Sequence, residues 1–191
     1  MGDTLALLTA ALAVMGSPGP STVSATAMGA AYGIGRALPY VGGLVAGTAT
    51  VLAAVALGVI AMVTRLPQLA PVLVTVAALY ILYLAFRIAT APPLDAAAGT
   101  TRAPAFAGGY LLAVANPKAW LAIAAVFTSA PRLGAGERVV LLGLMIVLIH
   151  AVWLGVGAAL ARVLRHRLLS RIINIGLAVA MVALTAAALI G

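Results

Sequence analysis

AVMGSPGPS (residues 13–21) and AVANPKA (residues 113–119) interrupt two otherwise continuously apolar stretches, and the way they do so decides the architecture. Ala13-Val14 and Ala113-Val114 are a hundred positions apart, and Pro18 and Lys118 sit equally far into their segments. Proline lacks a backbone N–H and its ring collides with the preceding turn, so a helix carrying it mid-way breaks there. At 1.5 Å per residue, about 14 residues put each break roughly 21 Å along its helix. In a tilted helix that lies close to the middle of a bilayer.

A bilayer is required by what surrounds the breaks. Of the 191 residues 65% are hydrophobic and 7% charged, and the mean hydropathy is +1.23. A soluble domain carries roughly 25% charged residues. Three acids and eleven bases cannot cover a surface facing water, so hydrocarbon is the solvent for most of this chain. The absence of Cys excludes disulfides, thiolate metal sites and thiol redox chemistry. MGDTLALL has Asp3 and no base ahead of its apolar run, whereas a signal peptide needs a basic leader, so the first segment is expected to be retained.

The apolar runs predict an all-α membrane protein of six transmembrane helices. They span about Thr4–Tyr32, Ala37–Val63, Ala70–Ile88, Ala105–Ala130, Val139–Leu160 and Ile172–Ile190. An open strand cannot satisfy its backbone in lipid, and a closed barrel would show alternating ten-residue segments, which these are not. IATAPPLDAAAGTTRAP is rich in Pro, Ala and Thr and reads as a linker. The expectation is one transmembrane domain, 1–191, made of three-helix halves 1–88 and 105–191 joined by a cytoplasmic linker at 89–104. With three helices per half, the second half enters the membrane upside down. Inverted repeats with helices one and four broken near the midplane are the architecture of secondary transporters.

The breaks also suggest chemistry. Asn116-Pro117 reads as an N-cap followed by a first-turn proline. Ser17-Pro18, or Gly19-Pro20 followed by Ser21, does the same in the first helix. Each break then starts a half-helix whose free amides and positive dipole end face the protein centre, and Lys118 adds a full charge beside one of them. That suits a carboxylate. Carbonyls freed around Ala13 to Met15 and Leu112 to Ala115 suit an ammonium, so the two together describe an amino acid.

PGPSTVSA in the first helix and GGYLLAVANPKAWLAIAAVF opening the second half resemble the lysine exporter superfamily, in its homoserine/threonine-resistance branch. The resemblance covers essentially the whole chain: length, six helices, an N-terminal PGP and a mid-chain NPK. It implies a prokaryotic inner-membrane exporter of amino acids or related metabolites, driven by an ion gradient. It also implies that Pro18, Gly19, Pro20, Asn116, Pro117 and Lys118 line the transport route. Ser17 and Ser21 flank those residues and join the candidate substrate site.

Other residues have a plain reading beside a functional one. His150, mid-way along the fifth helix, is a candidate for proton coupling, or else a neutral histidine bonded to a neighbouring helix. Trp120 and Trp153 read as packing or interface anchors. The pairs Gly29/Gly33 and Gly43/Gly47 let helices approach closely inside the chain, with a homodimer as the alternative. Arg162 to Arg171 reads as a solvated loop touching lipid head groups, and Asn174 as a cap. Asp3, Asp95 and Glu137 fall at helix ends or in loops, which leaves no intramembrane ligand for a metal ion. No nucleophile–base pair points to an enzyme, and no cofactor is expected. The bases sit between apolar runs rather than on a face interleaved with aromatics, so the partners are a small molecule and membrane lipid, not nucleic acid.

Orientation follows from the bases. Seven (Arg36, Arg87, Arg102, Arg162, Arg165, Arg167 and Arg171) follow helices one, three and five, against three (Arg65, Arg132 and Arg138) after helices two and four. Positive loops stay cytoplasmic, so both termini are expected outside. Single cysteines near residue 2, within 90–103 and at residue 191 should therefore differ towards an impermeant thiol reagent in whole cells. The termini should label and the linker should not; the reverse pattern would invert the topology.

Overall fold

The computed structural model describes residues 2–58 and 105–160, together with helical residues at 75, 79, 82, 83, 86, 171, 172, 175, 176, 178–180, 182, 183 and 186. The rest of the third and sixth expected spans, the 89–104 linker, Asn174 and the arginines at 65, 87, 102, 162, 165 and 167 lie outside the described residues.

Every described element is helical. Helix α1, Gly2–Ala10, runs on through a π-helical turn, Ala11–Met15, closed by the Gly16 amide on the Ala11 carbonyl at 3.2 Å. After the break comes α2, Pro20–Ala56. The second half supplies α3, Phe106–Ala115, then α4, Pro117–Thr128, and α5, Ala135–Leu160. Helices α2 and α5 are each long and apolar enough to cross a bilayer, and α3 with α4 makes a further pair bent by 62° at Asn116.

The loop expected between Tyr32 and Ala37 is compressed to one residue. Gly33 takes φ 70° and ψ 173°, a backbone region closed to side-chain-bearing residues, and the helix resumes at once. Arg36, expected in that loop, lies inside α2 with its guanidinium 5.7 Å from the Tyr32 ring centroid. Arg138 likewise belongs to α5, where it donates to the Phe127 carbonyl at 2.7 Å and sits over the Phe127 ring. Helix α2 stops at Ala56, with Gly58 at φ 77°, and residues 59–63 of the second expected span lie outside the described residues.

Packing centres on α2. All residues from Pro20 to Ala30 are buried, so this stretch is enclosed on every side despite carrying Ser21, Thr22, Ser24 and Thr26. Buried hydroxyls must find partners. Ser24 pairs with the Tyr40 hydroxyl at 2.7 Å, and Thr26 donates to the carbonyls of Thr22 and Trp153. Lipid tails are as apolar as leucine, so helices in a membrane associate through close contact at small residues. Here a Cβ on Gly29 would strike the Leu154 carbonyl, one on Gly157 the Thr26 carbonyl, and one on Gly109 the Tyr40 carbonyl. Gly43 and Gly47 meet the backbone of Phe106 and Tyr110 in the same chain. Gly33 has no neighbour within 4 Å, so it is a turn glycine and not half of a packing pair. At one end Asp3 lies 3.8 Å from Arg132, which puts the start of α1 beside the α4–α5 connection.

Gly33→Ala should cost about 1–3 kcal/mol of stability, because alanine is strained at this φ and ψ. Gly35→Ala, two residues on in open helix, should be neutral or slightly stabilising. Thermal melts of the purified variants decide it; equal melting temperatures would show that the turn at Gly33 does not form.

Candidate functional site

Each break is built by its own residues. In the first, Gly19 is the N-cap in extended conformation and Pro20 opens α2, so of the two expected starts the chain uses Gly19-Pro20. The Gly19 amide donates to Thr22 Oγ1 at 2.8 Å. Pro20 has no N–H, and the amides of Ser21 and Thr22 have no helical carbonyl behind them. In the second break Asn116 caps α4 as its sequence predicts, Oδ1 accepting from the Lys118 amide at 3.1 Å with Pro117 in the first turn. That cap, and the Ala119 amide's bond to the Asn116 carbonyl, occupy the amides expected to attract an anion at α4.

The carbonyls released by the breaks are taken up as well. Trp153 Nε1 donates to the Gly16 carbonyl at 3.0 Å, and Trp120 Nε1 to the Val114 carbonyl at 2.8 Å. One indole thus serves each break, a role beyond the packing or interface anchoring expected of them. Ser17 Oγ donates to the Val14 carbonyl, and the Asn116 amide to that of Ala113. Of the expected ammonium acceptors around Ala13 to Met15 and Leu112 to Ala115, the carbonyls of Val14, Ala113 and Val114 are therefore engaged by the protein itself.

Two side chains from the second break cross to the first. Asn116 Nδ2 donates to Ser21 Oγ at 2.9 Å, with both residues buried. Lys118 Nζ donates to the Ser17 carbonyl at 2.6 Å, to Ser17 Oγ at 2.8 Å and to the Pro18 carbonyl at 2.8 Å. Gly19 makes room for this: a Cβ there would lie 2.6 Å from Lys118 Cδ. The sequence offers Lys118 as a free positive charge; folded, its ammonium is saturated with oxygen.

Beside the crossing lies a cavity of about 40 Å³. At ~10–15 Å³ per water it has room for about three. Ser21, Thr22, Thr48, Asn116, Lys118 and His150 supply its polar lining, and Ile123, Ile146 and Ile149 its apolar wall. Gly19 also lines it, whereas Ser17, Pro18, Pro20 and Pro117 form the breaks without facing it. His150 is only 4% exposed. Its Nδ1 lies 2.8 Å from the Ile146 carbonyl one turn back on α5, not on a neighbouring helix. A carbonyl only accepts, so Nδ1 carries the proton in the neutral ring and Nε2 keeps its lone pair. Among the described residues Nε2 has no partner. Sequence reasoning missed Thr22 and Thr48. Thr22 adjoins the PGPS motif, but a threonine within an apolar span, as at 48, also serves merely to bond its own helix, and Thr48 does donate to Leu44.

Asn116 does two jobs and Ser21 one, which separates their variants. Asn116→Ala removes the cap and the bridge; Ser21→Ala removes the bridge alone. The first should cost about 1 kcal/mol more than the second, the usual worth of a cap. Equal melting temperatures would mean that the Asn116 cap contributes nothing.

Helical apolar segments, a centrally placed pair of breaks and a small polar cavity between them are the makings of a membrane transporter. Neither a curated protein nor a solved structure matches the chain. The family model described as LysE type translocator matches residues 12–191, and takes in both breaks and every residue of the cavity. Members of that family are transporters rather than enzymes. The chain belongs to the LysE type translocator family.

Proposed function

We propose that this membrane protein exports a small neutral amino acid or related metabolite across the prokaryotic inner membrane, in the manner of the homoserine/threonine-resistance branch. The proposal includes six spans arranged as inverted three-helix halves, 1–88 and 105–191, a cytoplasmic linker at 89–104, and both termini outside. The observation that carries the substrate class is the meeting of the two breaks at one cavity. At the cavity the first turn of α2 offers amides to an amino acid's carboxylate, and beside it, where Lys118 reaches the first break, the oxygens of Ser17 and Pro18 suit its amine. Transporters place substrates against such half-helix ends.

Selectivity for neutral side chains follows from the lining. Among the described residues no Asp or Glu borders the cavity, and the isoleucine wall offers nothing to a second ammonium. An unpaired charge in low dielectric costs several kcal/mol. The small volume requires helices to part for loading, as alternating access does. His150 is the group we assign to proton coupling. It is buried, it lines the same cavity, and its Nε2 lone pair is free to take a proton while Nδ1 stays anchored to Ile146.

Proteoliposomes loaded with labelled threonine, leucine, lysine and arginine test this together. A neutral amino acid should leave fastest; faster release of lysine or arginine than of every neutral candidate would overturn the substrate class. Lys118→Ala and Asn116→Ala should abolish transport while still reaching the membrane. His150→Gln keeps a hydrogen-bonding side chain but cannot titrate, so it should flatten the pH dependence of export. An unchanged profile would assign coupling elsewhere.

A further inference from the structure

We propose that the oxygens of Ser17 and Pro18 are the amine subsite of the transport route, that Lys118 is its resident occupant, and that a substrate amine displaces it. The inference rests on reading the chain as an amino-acid exporter and names how that site is divided. A primary ammonium has three N–H donors. Those of Lys118 meet three acceptors at 2.6, 2.8 and 2.8 Å, two carbonyls and one hydroxyl, with no carboxylate among them. Such a set satisfies any R–NH₃⁺ of similar reach. It does so without the acid that a metal or a larger cation would require.

The location allows exchange. Lys118 lines the cavity, Ser17 is half-buried and Pro18 is exposed, so the ammonium sits at the rim rather than in the sealed core. It is held at the end of a flexible chain, the easiest kind of group to swing aside. Directly after the amine oxygens the backbone turns through Gly19 into α2, whose first-turn residues Ser21 and Thr22 line the cavity and have no helical carbonyl one turn behind their amides. Acceptors for an amine and donors for a carboxylate thus adjoin along the chain, as the two groups adjoin in an α-amino acid. Lys118, once displaced, is left within reach of that carboxylate. The exchange conserves charge, since one ammonium replaces another and the released one pairs with the carboxylate. When the substrate leaves, Lys118 refills the subsite and the oxygens are never left bare in low dielectric.

Two measurements test it. In detergent, ethylammonium should raise the melting temperature of Lys118→Ala, whereas tetramethylammonium, which has no N–H, should not; neither should move the wild type. Adding Ser17→Ala to Lys118→Ala removes one of the three acceptors and should raise the ethylammonium concentration needed by roughly tenfold. In proteoliposomes of the wild-type chain, the neutral amino acid that moves fastest should compete with its own labelled form, and its N-acetyl derivative should do so at least about tenfold more weakly. Ethylammonium acting no better than tetramethylammonium, or N-acetyl and free amino acid competing equally, would overturn the proposal. The competition uses the wild type and decides the matter even where Lys118→Ala fails to fold. If no amino acid moves at all while ethylammonium still stabilises Lys118→Ala, the amine subsite stands and the amino-acid reading falls.

Discussion

An ammonium ion held in a low-dielectric interior must be given oxygens, and in this protein a break in a helix supplies them. Lys118 reaches from the start of α4 to the carbonyls of Ser17 and Pro18, which a continuous helix would have spent on its own ladder. The break thus makes the lysine tolerable, and the lysine in turn satisfies the break. Gly19 must lack a side chain for the lysine to pass, and Pro20 must start α2 where it does. Asn116, two residues earlier in the same motif, caps α4 and ties it to Ser21. The two breaks meet through these few bonds.

That meeting dictates the packing around it. Ser21, Thr22, Ser24 and Thr26 all face protein because Pro20–Ala30 is buried throughout, and so each hydroxyl has a partner within the fold. Enclosing so polar a helix requires its neighbours to come within backbone contact. Glycines at 29 and 157 permit this between α2 and α5, and those at 43, 47 and 109 between α2 and α3. The two tryptophans complete the arrangement by donating to the carbonyls that the π-turn of the first break and the end of α3 leave open. Among the described residues the buried His150 Nε2 atom is left without a partner, beside a cavity with room for a few waters.

Much of this was legible from residue order, because the signals are local. Hydropathy alone demands membrane helices, and Asn116-Pro117 announces an N-cap and a first turn by chemistry confined to three residues. The glycine pair at 43 and 47 declares close approach for a similarly local reason, the lack of a Cβ. Other expectations failed where the deciding contact lies far off in sequence. Trp153 and Gly16 are 137 positions apart, and nothing near either one reports the bond. Thr48 looks like any threonine in an apolar span. Gly33, read as half of a packing pair, is instead the turn itself, since its φ and ψ rather than its neighbours require glycine.

Residue order therefore settles the solvent, the helical class, the positions of both breaks and the family, all of which depend on composition and on short motifs. It is silent on charge engagement. Lys118 reads as a bare cation because its three acceptors lie about a hundred residues away, and only folding brings them to its ammonium. The same long-range approach gathers Ser21, Thr22, Thr48 and His150 around one cavity. A lysine that reads as free thus has its ammonium seated on three oxygens, because electrostatics in a membrane protein is decided by which oxygens are near, and nearness is a property of the fold.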